Sequence, residues 1–151
     1  NVNKTIAAIP LEDRIPFPYV YESIEAIYAV ADIAVVSSAN NAAVTAEWEQ
    51  AGLTKFVNGI FTQENGSKKQ VIASLKQTGR YKDGCILKIG DAPGDLQAAQ
   101  SNTVFFYPII PEKEAESWIQ LKDTYIPLFI NGRYAEYEQQ LIDRFYSELE
   151  D

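Results

Sequence analysis

The chain has 151 residues, 46% of them hydrophobic and 23% charged, enough for one buried core and too apolar for a disordered segment. Its formal charge is −8, from 21 acidic against 13 basic side chains, which argues against nucleic acid or an anionic membrane surface as the main partner. It contains no histidine and a single cysteine, Cys85, so by itself it carries no Ser-His-Asp triad, no Cys-His pair, no histidine-based zinc site and no internal disulfide.

In chain order, residues 1–19 hold Pro10, Pro16 and Pro18 around Glu12 and Asp13. Only Thr5 to Ile9 look ordered there, and the segment is expected to be a connector. From Val20 onward, Ile24, Ile27, Tyr28 and Val30 recur at helical spacing, with Glu22 and Glu25 on the outer side. Asp32 precedes the β-branched run Ile33 to Val36, closed by Ser37 and Ser38, which predicts a buried parallel strand. Asn40 and Asn41 can cap a helix over 42–51, stopped by Gly52. Residues 56–61 predict a weak second strand, interrupted at Asn58 and Gly59. Ser67 caps a helix over 68–78, whose Val71, Ile72 and Leu75 form a buried stripe before Gly79. A third strand is expected over 85–90, a helix over 96–101, and a fourth strand over 103–107 that Pro108 closes. Two amphipathic helices, over 112–122 and 133–149, complete the chain, with Trp118, Leu121, Tyr137, Leu141, Phe145 and Leu149 at packing spacing. Strands that alternate with helices predict an α/β three-layer sandwich around a mostly parallel sheet.

No apolar run approaches the ~20 residues needed to cross a bilayer, and the polar start resembles no signal peptide, so a cytoplasmic location is expected. The chain contains no methionine and opens on Asn1, so further sequence is expected upstream.

The segment Ile89-Gly90-Asp91-Ala92-Pro93-Gly94-Asp95 carries the strongest chemical signal. Two carboxylates stand between a strand's carboxyl end and a helix start, where ligands collect in open α/β sheets. Paired aspartate oxygens there suit Mg²⁺, with phosphate oxygens and water as the other ligands. Ser37 ends the first strand and Lys68 opens the second helix, so hydroxyl, ammonium and carboxylates converge on one edge of the sheet. In phosphoryl transfer a hydroxyl donates to phosphate, a lysine supplies compact positive charge, and metal-holding carboxylates complete the set. The glycines after the third strand lack the spacing of a dinucleotide-binding loop.

The ordered set Ile33 to Ser38, then Gly66-Ser67-Lys68, then Ile89 to Asp95 resembles the second, third and fourth signature motifs of the haloacid dehalogenase superfamily, over residues 17 to 111. The resemblance implies a Rossmann-like core and a Mg²⁺-dependent phosphohydrolase acting on a small phosphorylated metabolite. It implies that Ser37, with Ser38 and Ala39, binds the phosphoryl group and that Lys68 stabilises it, Lys69 being the alternative. It implies that Asp91 and Asp95 belong to the metal motif, Asp91 as the direct ligand. Residues 1–19 would then be the end of an upstream cap region, 20–111 the core, and 112–151 helices packed on it. The family's opening Asp-x-Asp is absent, since Pro10 and Leu11 stand where carboxylates would be needed. The central strand is therefore expected to be missing, supplied upstream or by a second chain, or else degenerate over residues 4–9. This chain alone is expected to be inactive, and the alternative is a non-catalytic member that binds a phosphorylated ligand or a protein partner.

Overall fold

The computed structural model describes residues 6–9, 19–37, 40–79, 81, 82 and 84–149. The strands are β1 (Ile6–Ile9), β2 (Asp32–Val36), β3 (Gly59–Phe61), β4 (Ile86–Gly90) and β5 (Phe105–Pro108). They alternate with helices α1 (Val20–Tyr28), α2 (Asn41–Gln50), α3 (Lys68–Gln77) and α4 (Pro93–Ser101), and α5 (Glu114–Gln120), α6 (Ile126–Ile130) and α7 (Ala135–Leu149) follow. Among the described residues the strands form one five-stranded parallel sheet, in the order β3-β2-β1-β4-β5. The chain moves outward from β1 through β2 to β3, then returns to the other side of β1. The switch point of this α/β fold therefore lies between β1 and β4, the place where such sheets open a crevice at their carboxyl ends.

Side-chain alternation builds two cores. Ala7, Ile33, Val35, Leu87 and Ile89 pack with Ile24, Trp48, Trp118 and Phe129, on the side of α1, α2, α5 and α6. Ile6, Ala8, Ala34, Val36 and Ile86 pack with Val71, Ile72, Leu96 and Phe145, on the side of α3, α4 and α7. With both faces covered, β2 and β4 bury every position, which is why they read as unbroken apolar runs.

The connector expected over residues 1–19 is corrected at Ile6–Ile9, which is the central strand. It pairs with β2 through Ile9 and Val35, and with β4 through Ala8 and Lys88. The degenerate form of the first strand is thus the one observed. The weak strand expected over 56–61 shrinks to β3, because Thr54–Phe56 forms a 3₁₀ turn and the Asn58 side chain accepts from Ile33 N at 2.8 Å. Helix α4 starts at Pro93 instead of residue 96, with proline in the first turn, where its missing N–H costs nothing. The helix expected to stop at residue 122 continues as a π-helical stretch, Leu121–Tyr125, into α6. Pro127 has no N–H to give to the preceding turn, and a π-bulge is one way a helix absorbs such a break.

Strand β5 is an edge, and side chains from the α7 end of the chain close it. Glu138 Oε2 accepts from Phe106 N at 2.7 Å, and Tyr134 Oη donates to Phe106 O at 2.6 Å. These contacts occupy the groups that would otherwise pair with another strand. Burial raises the Glu138 carboxyl above its ordinary value, partly offset by the Phe106 N–H. A raised carboxyl binds more protons folded than unfolded, so its contribution is fully present at low pH and falls as pH rises through the folded value. Glu138→Gln, which keeps the acceptor without the charge, is expected to leave stability at pH 7 within about 0.5 kcal/mol of the parent, whereas Glu138→Ala strands the Phe106 N–H and costs about 1–2 kcal/mol. Urea unfolding of the two variants at pH 5 and pH 8 measures both effects.

Candidate functional site

Three connections at the carboxyl edge of the sheet carry polar side chains. Ser37 follows β2, and its N–H bonds Phe61 O at 2.9 Å, fixing it at the end of the strand. Ile9 is level with Val35 and Ala8 with Lys88, so Ser37, two residues past Val35, and Asp91, three past Lys88, stand at one height on either side of β1. Two strand spacings put their backbones about 10 Å apart, a gap that two short side chains and one tetrahedral anion fill. Thr62, directly after β3 as Ser37 is directly after β2, carries a buried hydroxyl without a hydrogen-bond partner. At the start of α2, Asn40 Oδ1 accepts from Ala43 N, and Glu64 accepts from Asn41 N at 3.0 Å.

The densest cluster lies at the switch point. Lys68, in the first turn of α3, places Nζ 2.8 Å from Asp95 Oδ1. Lys88, in the middle of β4, places Nζ 3.2 Å from the same oxygen and donates to Ile89 O at 2.9 Å. The other carboxylate oxygen, Asp95 Oδ2, accepts from Asp91 N and Ala92 N, both at 3.2 Å. The side chains of Lys88 and Asp95 are 0% exposed and that of Lys68 17%. Burial alone would raise the Asp95 carboxyl, but the charges of Lys88 and then Lys68, with their hydrogen bonds, hold it below the ordinary aspartate range. Local sequence explains the placement. Ser67 accepts from Gln70 N and starts α3 so that Lys68 lies in its first turn, and Asp95, in the first turn of α4, reaches back to the amides before it. Gly90 makes the close approach possible, because a Cβ there would lie 2.4 Å from Asp95 Cβ.

Of the residues singled out from the sequence, Lys68 and Asp95 touch, and Ser37 and Asp91 share the same edge. Lys69 is exposed, so Lys68 is the lysine that turns inward. Ser38 and Ala39 lie outside the described residues, as do Pro10, Leu11, Glu12 and Asp13. Asp95, expected beside Asp91 in the metal motif, instead directs its oxygens to two ammonium groups and two amides. Asp91, half-buried in the turn after β4, is the remaining carboxylate of that motif, and among the described residues no three histidine, cysteine, aspartate or glutamate side chains converge as a metal cage. Magnesium usually takes only one or two protein carboxylates and fills its octahedron with water and phosphate oxygens, so Asp91 fits that demand without Asp95. Lys88 was not anticipated. Its signal was available, since a charged residue inside a strand buried on both faces requires a partner.

The model of haloacid dehalogenase-like hydrolases matches residues 3–109. The chain belongs to the haloacid dehalogenase-like hydrolase family. Solved structures agree on the fold. The core domain of a candidate phosphoglycolate phosphatase from Streptococcus pneumoniae is 18% identical, with a TM-score of 0.60 over 72% of this chain and 82% of that one. A magnesium-bound candidate hydrolase of the family from Bacillus subtilis is 17% identical, with a TM-score of 0.55 over 68% of this chain and 54% of that one. A candidate subfamily III A hydrolase from Legionella pneumophila is 18% identical, with a TM-score of 0.52 over 89% and 90% of the two chains. No curated protein matches this haloacid dehalogenase-like sequence. No helix among its described residues is long and apolar enough to cross a membrane.

Proposed function

We propose that this edge is the phosphoryl-binding and metal-holding part of a Mg²⁺-dependent phosphohydrolase of the cytoplasm, acting on a small phosphorylated metabolite. The observation that supports the proposal is the grouping of Lys68, Lys88 and Asp95 at the switch point, where two ammonium groups lie within 3.2 Å of one carboxylate oxygen in a chain whose overall charge is −8. Positive charge gathered at one crevice of an acidic protein raises the local concentration of an anion there. Ser37 donates a hydroxyl hydrogen bond to the phosphoryl group, Lys68 meets its oxygens, and Asp91 is the protein ligand of the metal. Magnesium, when bound, neutralises charge on the transferring oxygens. An aspartyl-phosphate route needs a carboxylate nucleophile brought to this edge by a further segment of the reading frame, because β1 already fills the central strand position and the residues that follow it are Pro10 and Leu11.

The decisive assay compares this chain with the longer product of the same reading frame on 4-nitrophenyl phosphate with Mg²⁺. The expected result is no turnover by the chain and turnover by the longer product. In that product, Asp91→Asn is expected to abolish Mg²⁺ binding, measured by calorimetry, and unchanged affinity refutes the metal assignment. Turnover by the chain alone contradicts an upstream nucleophile. A second function, capture of a phosphorylated ligand without hydrolysis, is favoured by β1 itself, which fills the central position of the sheet with an apolar strand. An inactive longer product that binds phosphate selects it.

A further inference from the structure

Thr62 is 0% exposed, and its hydroxyl has no hydrogen-bond partner. Its backbone is engaged, since the N–H donates to Asn65 Oδ1 at 2.9 Å and the carbonyl accepts from Asn65 N at 2.8 Å. A buried hydroxyl left unpaired costs stability, and valine has nearly the same shape without that cost, so the residue type asks for a use outside the ligand-free fold. Register supplies one. Val36 pairs with Phe61, and Ser37 N donates to Phe61 O at 2.9 Å, so Ser37 and Thr62 are the residues that follow on two adjacent strands. Val36 and Phe61 pack on the α3 side, and Thr62 keeps an extended backbone, with φ −126° and ψ −171°. Alternation therefore turns Ser37 and Thr62 together to the opposite side, where Val35 and Ile60 pack with Val44 and Trp48 of α2. Adjacent strands lie about 4.8 Å apart, a gap that two hydroxyls close to hydrogen-bonding distance by rotation about χ1.

We propose that Thr62 is a positioning residue for phosphoryl binding: its hydroxyl donates to Ser37 Oγ when the Ser37 hydroxyl donates to a phosphoryl oxygen. This role rests on the phosphoryl-binding role proposed above for Ser37 and adds the residue that orients it. Thr62 touches no substrate. A serine oxygen accepts hydrogen bonds at two lone pairs beside the one it donates, so the contact leaves room for other partners of Ser37. The hydrogen bond that the ligand-free fold forgoes is made on binding, and hydroxyls polarised in one direction donate more strongly than one alone.

The test is the affinity of the chain for inorganic phosphate, by calorimetry, beside urea unfolding without phosphate. Ser37→Ala is expected to weaken binding about ten-fold, and Thr62→Val about five-fold, the worth of one hydrogen bond. The urea midpoint of Thr62→Val is expected at or above that of the parent, because the ligand-free fold loses no hydrogen bond. Thr62→Ser, which keeps the hydroxyl, is expected to bind within about two-fold of the parent. In the Ser37→Ala background, Thr62→Val is expected to change affinity by less than about two-fold, since its partner is gone. A packing role predicts instead that Thr62→Val unfolds at lower urea or does not fold, or that it loses the same affinity with and without the Ser37 hydroxyl, and either result overturns the proposal. Parent-like phosphate binding by Thr62→Val, with loss in Ser37→Ala, also overturns it while the edge stays a phosphate site. No phosphate binding by the parent overturns the phosphoryl-binding role of the edge, and that of Thr62 with it.

Discussion

Gly90→Ala is expected to destabilise the protein by about 3 kcal/mol or more and to loosen the switch-point cluster. The added Cβ would stand 2.4 Å from both Cβ and Cγ of Asp95 and 2.5 Å from its Oδ2, closer than real Cβ atoms approach any neighbour. Something must move, and the candidates are poor. Asp95 lies in the first turn of α4 and is tied to Lys68, Lys88 and two amides, so withdrawing it breaks a buried charge network. Overpacking costs about 1–3 kcal/mol, and disrupting a buried ion pair adds several more. Gly94, four residues further on in the first turn of α4, is the matched control. A Cβ there meets nothing within 4 Å, so Gly94→Ala gains helix propensity and is expected to be neutral or stabilising by up to about 1 kcal/mol. Thermal melts of the two variants beside the parent separate a specific collision from a general intolerance of this segment, and equal melts would remove the close approach from the account of the site.

The sheet was legible wherever a strand was long enough to show its environment. The runs over β2 and β4 are continuous and apolar because two helical layers cover them, and each is punctuated by a residue that ends it, Ser37 and Gly90. β1 was not legible as a central strand. Four residues bounded by prolines and polar side chains carry too little pattern to distinguish a strand from an ordered stretch of connector, and its central place follows from pairing with β2 and β4, whose partner residues lie 26 and 80 positions further on. Helix α6 was missed for a related reason. Pro127 reads as a helix stop, and only the tertiary seat of Ile126 and Phe129 against the core keeps the path helical beyond it.

The candidate site divides in the same way. Lys68 and Asp91 are readable because they stand next to turn and cap residues that announce a strand end or a helix start. Asp95 was read as a metal residue because two aspartates four apart after a glycine suit a divalent cation, yet sequence spacing cannot show that Lys88 reaches the same place from the strand beneath. Once that lysine is present, the carboxylate has a nearer use than a metal. Glu64 at the start of α2 belongs to the same class, since its partner Asn41 lies 23 residues away and nothing local links them.

Asp95→Asn is therefore the substitution expected to cost most. The amide is nearly the same shape but has one acceptor oxygen in place of two, and it carries no charge. Lys88 and Lys68 would both lose the carboxylate charge that they share, Lys88 as a buried ammonium, and one of the amides of Asp91 and Ala92 would lose its acceptor. Removing one partner of a buried pair costs about 3–5 kcal/mol, a large share of the roughly 5–15 kcal/mol that holds a domain together. At about 2–4 °C per kcal/mol for a chain of this size, the melting temperature is expected to fall by on the order of 10 °C. The pH dependence identifies the cause. Because Lys88 and Lys68 hold the folded carboxyl below its unfolded value, its contribution is complete above the ordinary aspartate range and is lost as pH falls through the folded value. The gap between parent and Asp95→Asn, followed by urea unfolding from pH 7 downward, should stay constant to about pH 5 and close below about pH 4. A gap that persists unchanged into strong acid would mean that Asp95 supports the fold by shape alone, and that its charge is not what holds the two lysines together.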